Sequence, residues 1–262
     1  NSSNAKSEHA AIVPRENLDF GLNGDIPKYW MGGDPFKTRF FDAMSTLFPQ
    51  GEKFFITSVR EFRDQIKDPQ LLQDVKDFTR QEAQHSMVHN QYNARLKEQG
   101  VDIDDINKRM EEDLFVEAQK RLTPTQRLAV TSALEHLTSM MCTCFFERRE
   151  LLEQCDPRMR AVYAWHAIEE IEHRAVAFDV YQAVYGDDKI RRMIMRSVTT
   201  GFASLTLYSA TRLFLQDKKK SLPKVGGNIF GFYLLGKMFL QLAPEYLAYF
   251  KTDFHPSEID YT

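Results

Sequence analysis

The spacing Glu-x-x-His occurs twice, at Glu82–His85 and Glu170–His173, and each copy lies inside a long helical pattern that follows a helix carrying one inward glutamate. Residues i and i+3 are neighbours on one helix face, so each pair aims two donors the same way. At about 100° per residue, with His166 at zero, Glu170 falls near 40° and His173 near −20°, a stripe about 60° wide. Glu169 stands at the edge of that stripe, and Glu172, about 120° away, reads as solvated. Glu82, His85 and His89 share a second stripe of about the same width. Upstream, Glu52 shares its face with Phe55, Ile56 and Val59, and Glu135 shares its face with Leu128, Thr131, Ser132, Thr138, Ser139 and Cys142. A carboxylate on such a face is costly to bury unless a proton, a cation or a metal accompanies it.

The order along the chain is therefore Glu, Glu-x-x-His, Glu, Glu-x-x-His on four successive long helices. This is how a four-helix bundle builds a di-iron or di-manganese carboxylate centre. Four carboxylates offset the charge of two divalent ions and can be shared between them, while imidazoles add stronger-field donors. The metal ligands expected are Glu52, Glu82, His85, Glu135, His166, Glu170 and His173. His89 reads as a further ligand, as a partner of the ligand Glu82, as an acid–base group near bound oxygen, or as a hydrogen-bonded interior histidine. His136, rotated about 100° from Glu135, and Glu169 read as partners of ligands or as structural groups. His255 reads as docking a C-terminal loop.

The rest of the chain reads as helix, and no strand-type alternation of any length occurs. Asp34-Pro35, Asp68-Pro69, Thr123-Pro124 and Asp156-Pro157 are helix starts with an N-cap followed by proline. The first helix is expected to stop near Phe48, with Pro49-Gln50-Gly51 as a break and Glu52 opening the next. Later helices are expected to end at Gly100, near Cys155 and at Gly186, with a short acidic helix over 102–121. The fold class expected is all-α, a ferritin-like four-helix bundle with added N- and C-terminal helices. Residues 1–13 read as a disordered or tag-derived tail, 14–256 as one domain and 257–262 as a tail.

Residues 189–250 read as two unusually apolar helices, the second with Gly227-x-x-x-Gly231. Three uses are open. They pack on the bundle or form a homodimer interface, they span or touch a membrane, or they wall a channel for an apolar substrate; the first is preferred. A formal net charge of −3, without a long Lys/Arg run, argues against a nucleic-acid partner. Three cysteines without C-x-x-C, and no signal pattern, fit a reducing, cytoplasmic setting.

The ligand pattern resembles the ferritin-like di-iron carboxylate superfamily, with Glu52, Glu82, His85, Glu135, Glu170 and His173 on its six positions. The added His166 resembles the seventh ligand of the p-aminobenzoate N-oxygenase branch, which has no counterpart of His89. Over about residues 14–256 the chain resembles more closely a bacterial family catalogued as predicted metal-dependent hydrolases. The stretches that carry this are LFPQGEKFF, RQEAQHSMVHNQYN, ALEHLTS, WHAIEEIEHRAVAFDVY and FHP. The resemblance implies two metal ions per chain, iron first, with manganese or a mixed pair fitting the same donors. The leading expectation is an oxidase or oxygenase that uses O2, an electron donor and an apolar small-molecule substrate. A dinuclear metal-dependent hydrolase is the alternative, and ferritin-like iron handling is the third.

Overall fold

A computed structural model describes residues 11–147, 153–218, 236–237 and 240–258. The expectations for the extreme N-terminus, the Gly227–Gly231 pair and the last four residues lie outside them. After an irregular strap (11–34) come α1 (Pro35–Arg60), α2 (Pro69–Glu98), α3 (Asp104–Glu111) and α4 (Ala118–Arg121). They are followed by α5 (Pro124–Glu147), α6 (Pro157–His173), α7 (Val176–Val184) and α8 (Asp188–Lys218). A further helical stretch, α9, covers 240–248. The protein is all-α. The sole β-type pairing among the described residues is a bridge between Met31 and Cys155, which fastens the strap to the start of α6.

The expected starts are built as the sequence implies. Asp34, Asp68 and Asp156 each accept from a backbone N–H of the first turn, at 2.9 Å to Phe36, Gln70 and Arg158. Thr123 and Gln126 cap each other, the hydroxyl accepting from Gln126 N–H at 3.3 Å and the amide oxygen from Thr123 N–H at 3.0 Å. Such caps contribute about 1 kcal/mol each. Gly100 and Gly186 take the positive φ, 75° and 65°, that suits glycine after a helix end.

Two boundaries differ from expectation. Pro49 does not break the chain into two helices; it lies inside α1. Proline has no N–H to give the carbonyl four residues back, that of Ser45. That carbonyl instead accepts the Asn93 side-chain amide of α2 at 3.0 Å, which lets the helix continue. The helix begun at Pro157 is also not continuous to Gly186; it is interrupted at Arg174–Ala175, directly after His173, and resumes as α7.

Helices α1, α2, α5 and α6 pack together around a shared interior, with α7 and α8 against them. Apolar residues form two main clusters. One gathers Trp30, Phe41, Leu47, Tyr92, Leu96 and Trp165. The other gathers Phe54, Phe78, Leu128, Phe178, Tyr181 and Tyr249. Glu52 lies between Leu47 and Phe54 along α1, as Glu82 and His85 lie between Phe78 and Val88 along α2. The polar interior is thus a band between two oily ends.

A second buried polar group braces the bundle. Arg39 donates to Asp42 at 2.6 Å and to Asp217, at the end of α8, at 2.6 and 3.1 Å. Asp42 also accepts from Trp30 Nε1 at 3.0 Å and from the Tyr92 hydroxyl. No helix among the described residues is long and apolar enough to cross a membrane.

Candidate metal centre

All seven expected donors come together, each buried and none more than 5% exposed. They form two groups. The donor atoms of Glu52, His85 and His166 lie within 4.8 Å of one another, as do those of Glu82, Glu170 and His173. Glu135 joins the second group, with Oε2 3.2 Å from His173 Nε2. Glu170 Oε1 lies between the groups, 3.0 Å from His166 Nε2, 3.6 Å from His85 Nδ1 and 3.7 Å from His173 Nε2.

The outward nitrogens have partners that fix where each ring's proton sits. His85 Nε2 faces Glu169 Oε2 at 3.0 Å, and a carboxylate only accepts, so this nitrogen donates. His173 Nδ1 faces Gln81 Oε1 at 2.8 Å, and the Gln81 amide nitrogen is occupied by Glu172 at 2.8 Å, so Nδ1 donates. His166 is set by a longer chain that starts at Pro49. With its NH2 on the freed Ser45 carbonyl, Asn93 presents Oδ1 to the Ser45 hydroxyl at 3.0 Å. The Ser45 oxygen then accepts from His89 Nδ1 at 2.9 Å, and His89 Nε2 accepts from His166 Nδ1 at 2.7 Å. In their neutral forms His85 and His173 therefore turn an unprotonated nitrogen inward, Nδ1 and Nε2 respectively, while the inward Nε2 of His166 is hydrogen-bonded to Glu170 Oε1 at 3.0 Å.

The donor set fits divalent ions on this ground. Glu52 Oε1, both oxygens of Glu82 and of Glu135, His85 Nδ1 and His173 Nε2 are buried without a hydrogen-bond partner. The short approaches of His173 Nε2 to Glu82 (3.0 Å) and Glu135 are not aligned as hydrogen bonds. Lone pairs aimed at one another in a dry interior need a cation or protons between them.

Protons are the competitor. Burial, with neighbouring carboxylates, pushes Glu52 and Glu82 well above the usual range. Burial pushes Glu135 up to about 7. Burial opposes a charge on Glu170 and on His173, yet the histidines hold Glu170 well below the usual range, and Glu135 with its neighbours pulls His173 well above. Burial lowers His85 and His89. Metal uptake is therefore expected to release protons and to weaken as pH falls below about 7, where Glu135 takes up its proton. The sign for the metal-free fold is opposite. From 4.5 to about 7 the unfolded chain ionises Glu135 before the folded chain does, so this group's contribution to stability falls as pH rises. Calorimetric titration in buffers of different ionisation enthalpy checks the proton release.

The remaining candidates are placed as follows. Glu169 stands behind His85, and His89 stands behind His166. His136 points away from the centre, with Nε2 3.2 Å from the Glu245 carbonyl and its ring against Tyr249 and Phe254, so it docks the C-terminal helix. His255 holds its loop through Asp179 at 2.8 Å. Glu172 is not the solvated bystander expected: it accepts from Gln81 and from Arg15, the latter at 2.8 Å. Gln81 and Arg15 carry no sequence signal of these roles, since their partners lie 92 and 157 residues away.

An apolar cavity of about 810 Å³ lies between α1, α5 and α8, lined among others by Phe40, Met44, Leu137, Met140 and Phe202. Leu137 and Met140 lie about 140–200° around α5 from Glu135, so the cavity backs onto the far side of that helix from the carboxylates.

A family model described as predicted metal-dependent hydrolase matches residues 14–260. No curated protein and no solved structure matches the chain.

Proposed function

The chain belongs to the family described as predicted metal-dependent hydrolases, and from that membership we propose an enzyme built on two metal ions. Glu52, His85 and His166 would hold one ion, and Glu82, Glu135 and His173 the other, with Glu170 placed to serve both. The observation that carries this reading is the convergence of three inward-facing imidazole nitrogens on four buried carboxylates, with seven of these donor atoms left without a hydrogen-bond partner. Bound there, such a pair supplies Lewis acidity and, when it is iron, electrons for O2.

The reaction we favour is O2-dependent oxidation of a small apolar substrate by a di-iron centre. Its support is the nitrogen-rich position at Glu52, His85 and His166, and the dryness of the interior, which suits chemistry that water would divert. Within it, Glu169, Gln81 and His89 hold the rings in their binding orientation. Thr138 steadies Glu170 by donating to Oε2 at 2.6 Å. Among the described residues no disulfide joins Cys142, Cys144 or Cys155, which supports a reducing, cytoplasmic setting.

Hydrolysis is the second reading, and the family description favours it over the first. In that case the same residues orient the ions, and their acidity activates water against an ester or phosphate. The deciding experiment loads metal-free protein with Fe(II) anaerobically and follows O2 consumption, beside an ester and phosphate panel run without O2. Iron-dependent O2 uptake is the expected result. Turnover of the panel that is indifferent to O2 selects hydrolysis, and a chain that takes up no metal overturns both readings.

A further inference from the structure

Behind the two histidines of the Glu-x-x-His pairs, the outer contacts close into one loop. His85 donates to Glu169, and His173 reaches Glu172 through Gln81. The two glutamates are joined by a single residue of the strap. Arg15 Nη1 donates to Glu169 Oε1 at 3.2 Å and to Glu172 Oε2 at 3.1 Å, and Nη2 donates to Glu172 Oε1 at 2.8 Å. The strap's backbone repeats the pattern, with Arg15 N–H on Glu169 at 3.0 Å and Val13 N–H on Glu172 at 3.1 Å. Glu169 is fully buried, while the Arg15 side chain keeps about a third of its surface in solvent. The strap thus crosses α6 at the level of the donors and ends their outer network at the surface.

We propose that Arg15 is a positioning residue that clasps the outer partners of the two Glu-x-x-His histidines, His85 and His173, so that docking of the strap and loading of the two metal positions are linked. The inference rests on the two-metal reading and is indifferent to the reaction. A metal-bound imidazole is a better N–H donor, so each ion strengthens the ring's bond to its carboxylate partner. Linkage is reciprocal: whatever tightens the clasp tightens the ions, and the converse. An arginine suits the place because its planar fork serves two carboxylates at once, which a lysine does not.

The test uses Co2+ alone as probe. Its binding is followed by calorimetry and visible absorption, with hydrogen exchange of the strap amides as a second readout. In the wild-type chain, Co2+ is expected to fill two positions and to slow exchange at Val13 and Arg15. Arg15→Ala is expected to weaken both positions about tenfold or more, the cost usual for loss of an outer partner, and to abolish that slowing. Glu172→Gln is expected to weaken one position, that of His173. A general loss of fold would not produce this two-against-one split. If the alanine variant does not fold, Arg15→Lys replaces it and is expected to weaken at least one position. Unchanged Co2+ affinities in the arginine variant, or strap exchange unmoved by Co2+ in the wild type, overturn the clasp. A wild-type chain that binds no Co2+ overturns the two-metal reading, and the clasp with it.

Discussion

Glu170→Gln is expected to lower bound metal from two ions per chain to fewer than one and to cut turnover about a thousandfold, the loss of several kcal/mol of metal-derived stabilisation. Glu170 is the carboxylate whose Oε1 approaches all three inward histidine nitrogens, at 3.0, 3.6 and 3.7 Å. Glutamine keeps the volume and the Thr138 contact but removes the charge, so the fold should persist while both positions lose a shared donor. Glu52→Gln is the control. Glu52 belongs to one group only, and its Oε2 is already held by Ser86 at 2.8 Å. Its variant should keep one ion. Metal analysis after gel filtration, with circular dichroism as the check on folding, reads both results. A Glu170→Gln protein that still holds two ions would remove this residue from the centre.

The largest effect on stability is expected at Arg39→Ala, about 3–5 kcal/mol, because Asp42 and Asp217 would remain buried without their shared cation. For a chain of this size that is a fall in Tm of roughly 6–20 °C. Asp217→Asn should cost less, since its partner Lys28 is partly exposed and Arg39 retains Asp42. Thermal melts of the metal-free proteins at one pH compare the two. Equal melting temperatures for wild type and Arg39→Ala would show that the cluster contributes nothing net.

The sequence made the inner layer of the centre legible because that layer is written in local spacing. Glu-x-x-His at i and i+3, and His166 four residues before Glu170, need only helix geometry to converge. The same holds for the helix starts, where cap and proline are adjacent. What could not be read is what depends on pairing across the bundle. Pro49 looked like a break because its compensating partner, Asn93, lies 48 residues on from the carbonyl it satisfies. Glu172 looked solvated because nothing near it in sequence announces Gln81 or Arg15. His89 stayed ambiguous until Ser45 and Asn93 settled which of its nitrogens carries the proton. The all-α class is as expected, and α8 packs on the bundle, the preferred use of the first apolar helix, where it helps line an apolar cavity beside α5.

The strap also sets an order in time. Arg15 leaves the ribosome long before its partners exist: Glu169 is 154 residues downstream, roughly 8–30 s of synthesis at common elongation rates. Over that interval the metal donors of α1, α2 and α5 are already made, while the segment that clasps them has nothing to hold. Contacts of such long range slow the folding of a chain. Because α6 brings Glu169 together with the donors His166, Glu170 and His173, the clasp and the last donors of the centre become available at the same moment of synthesis.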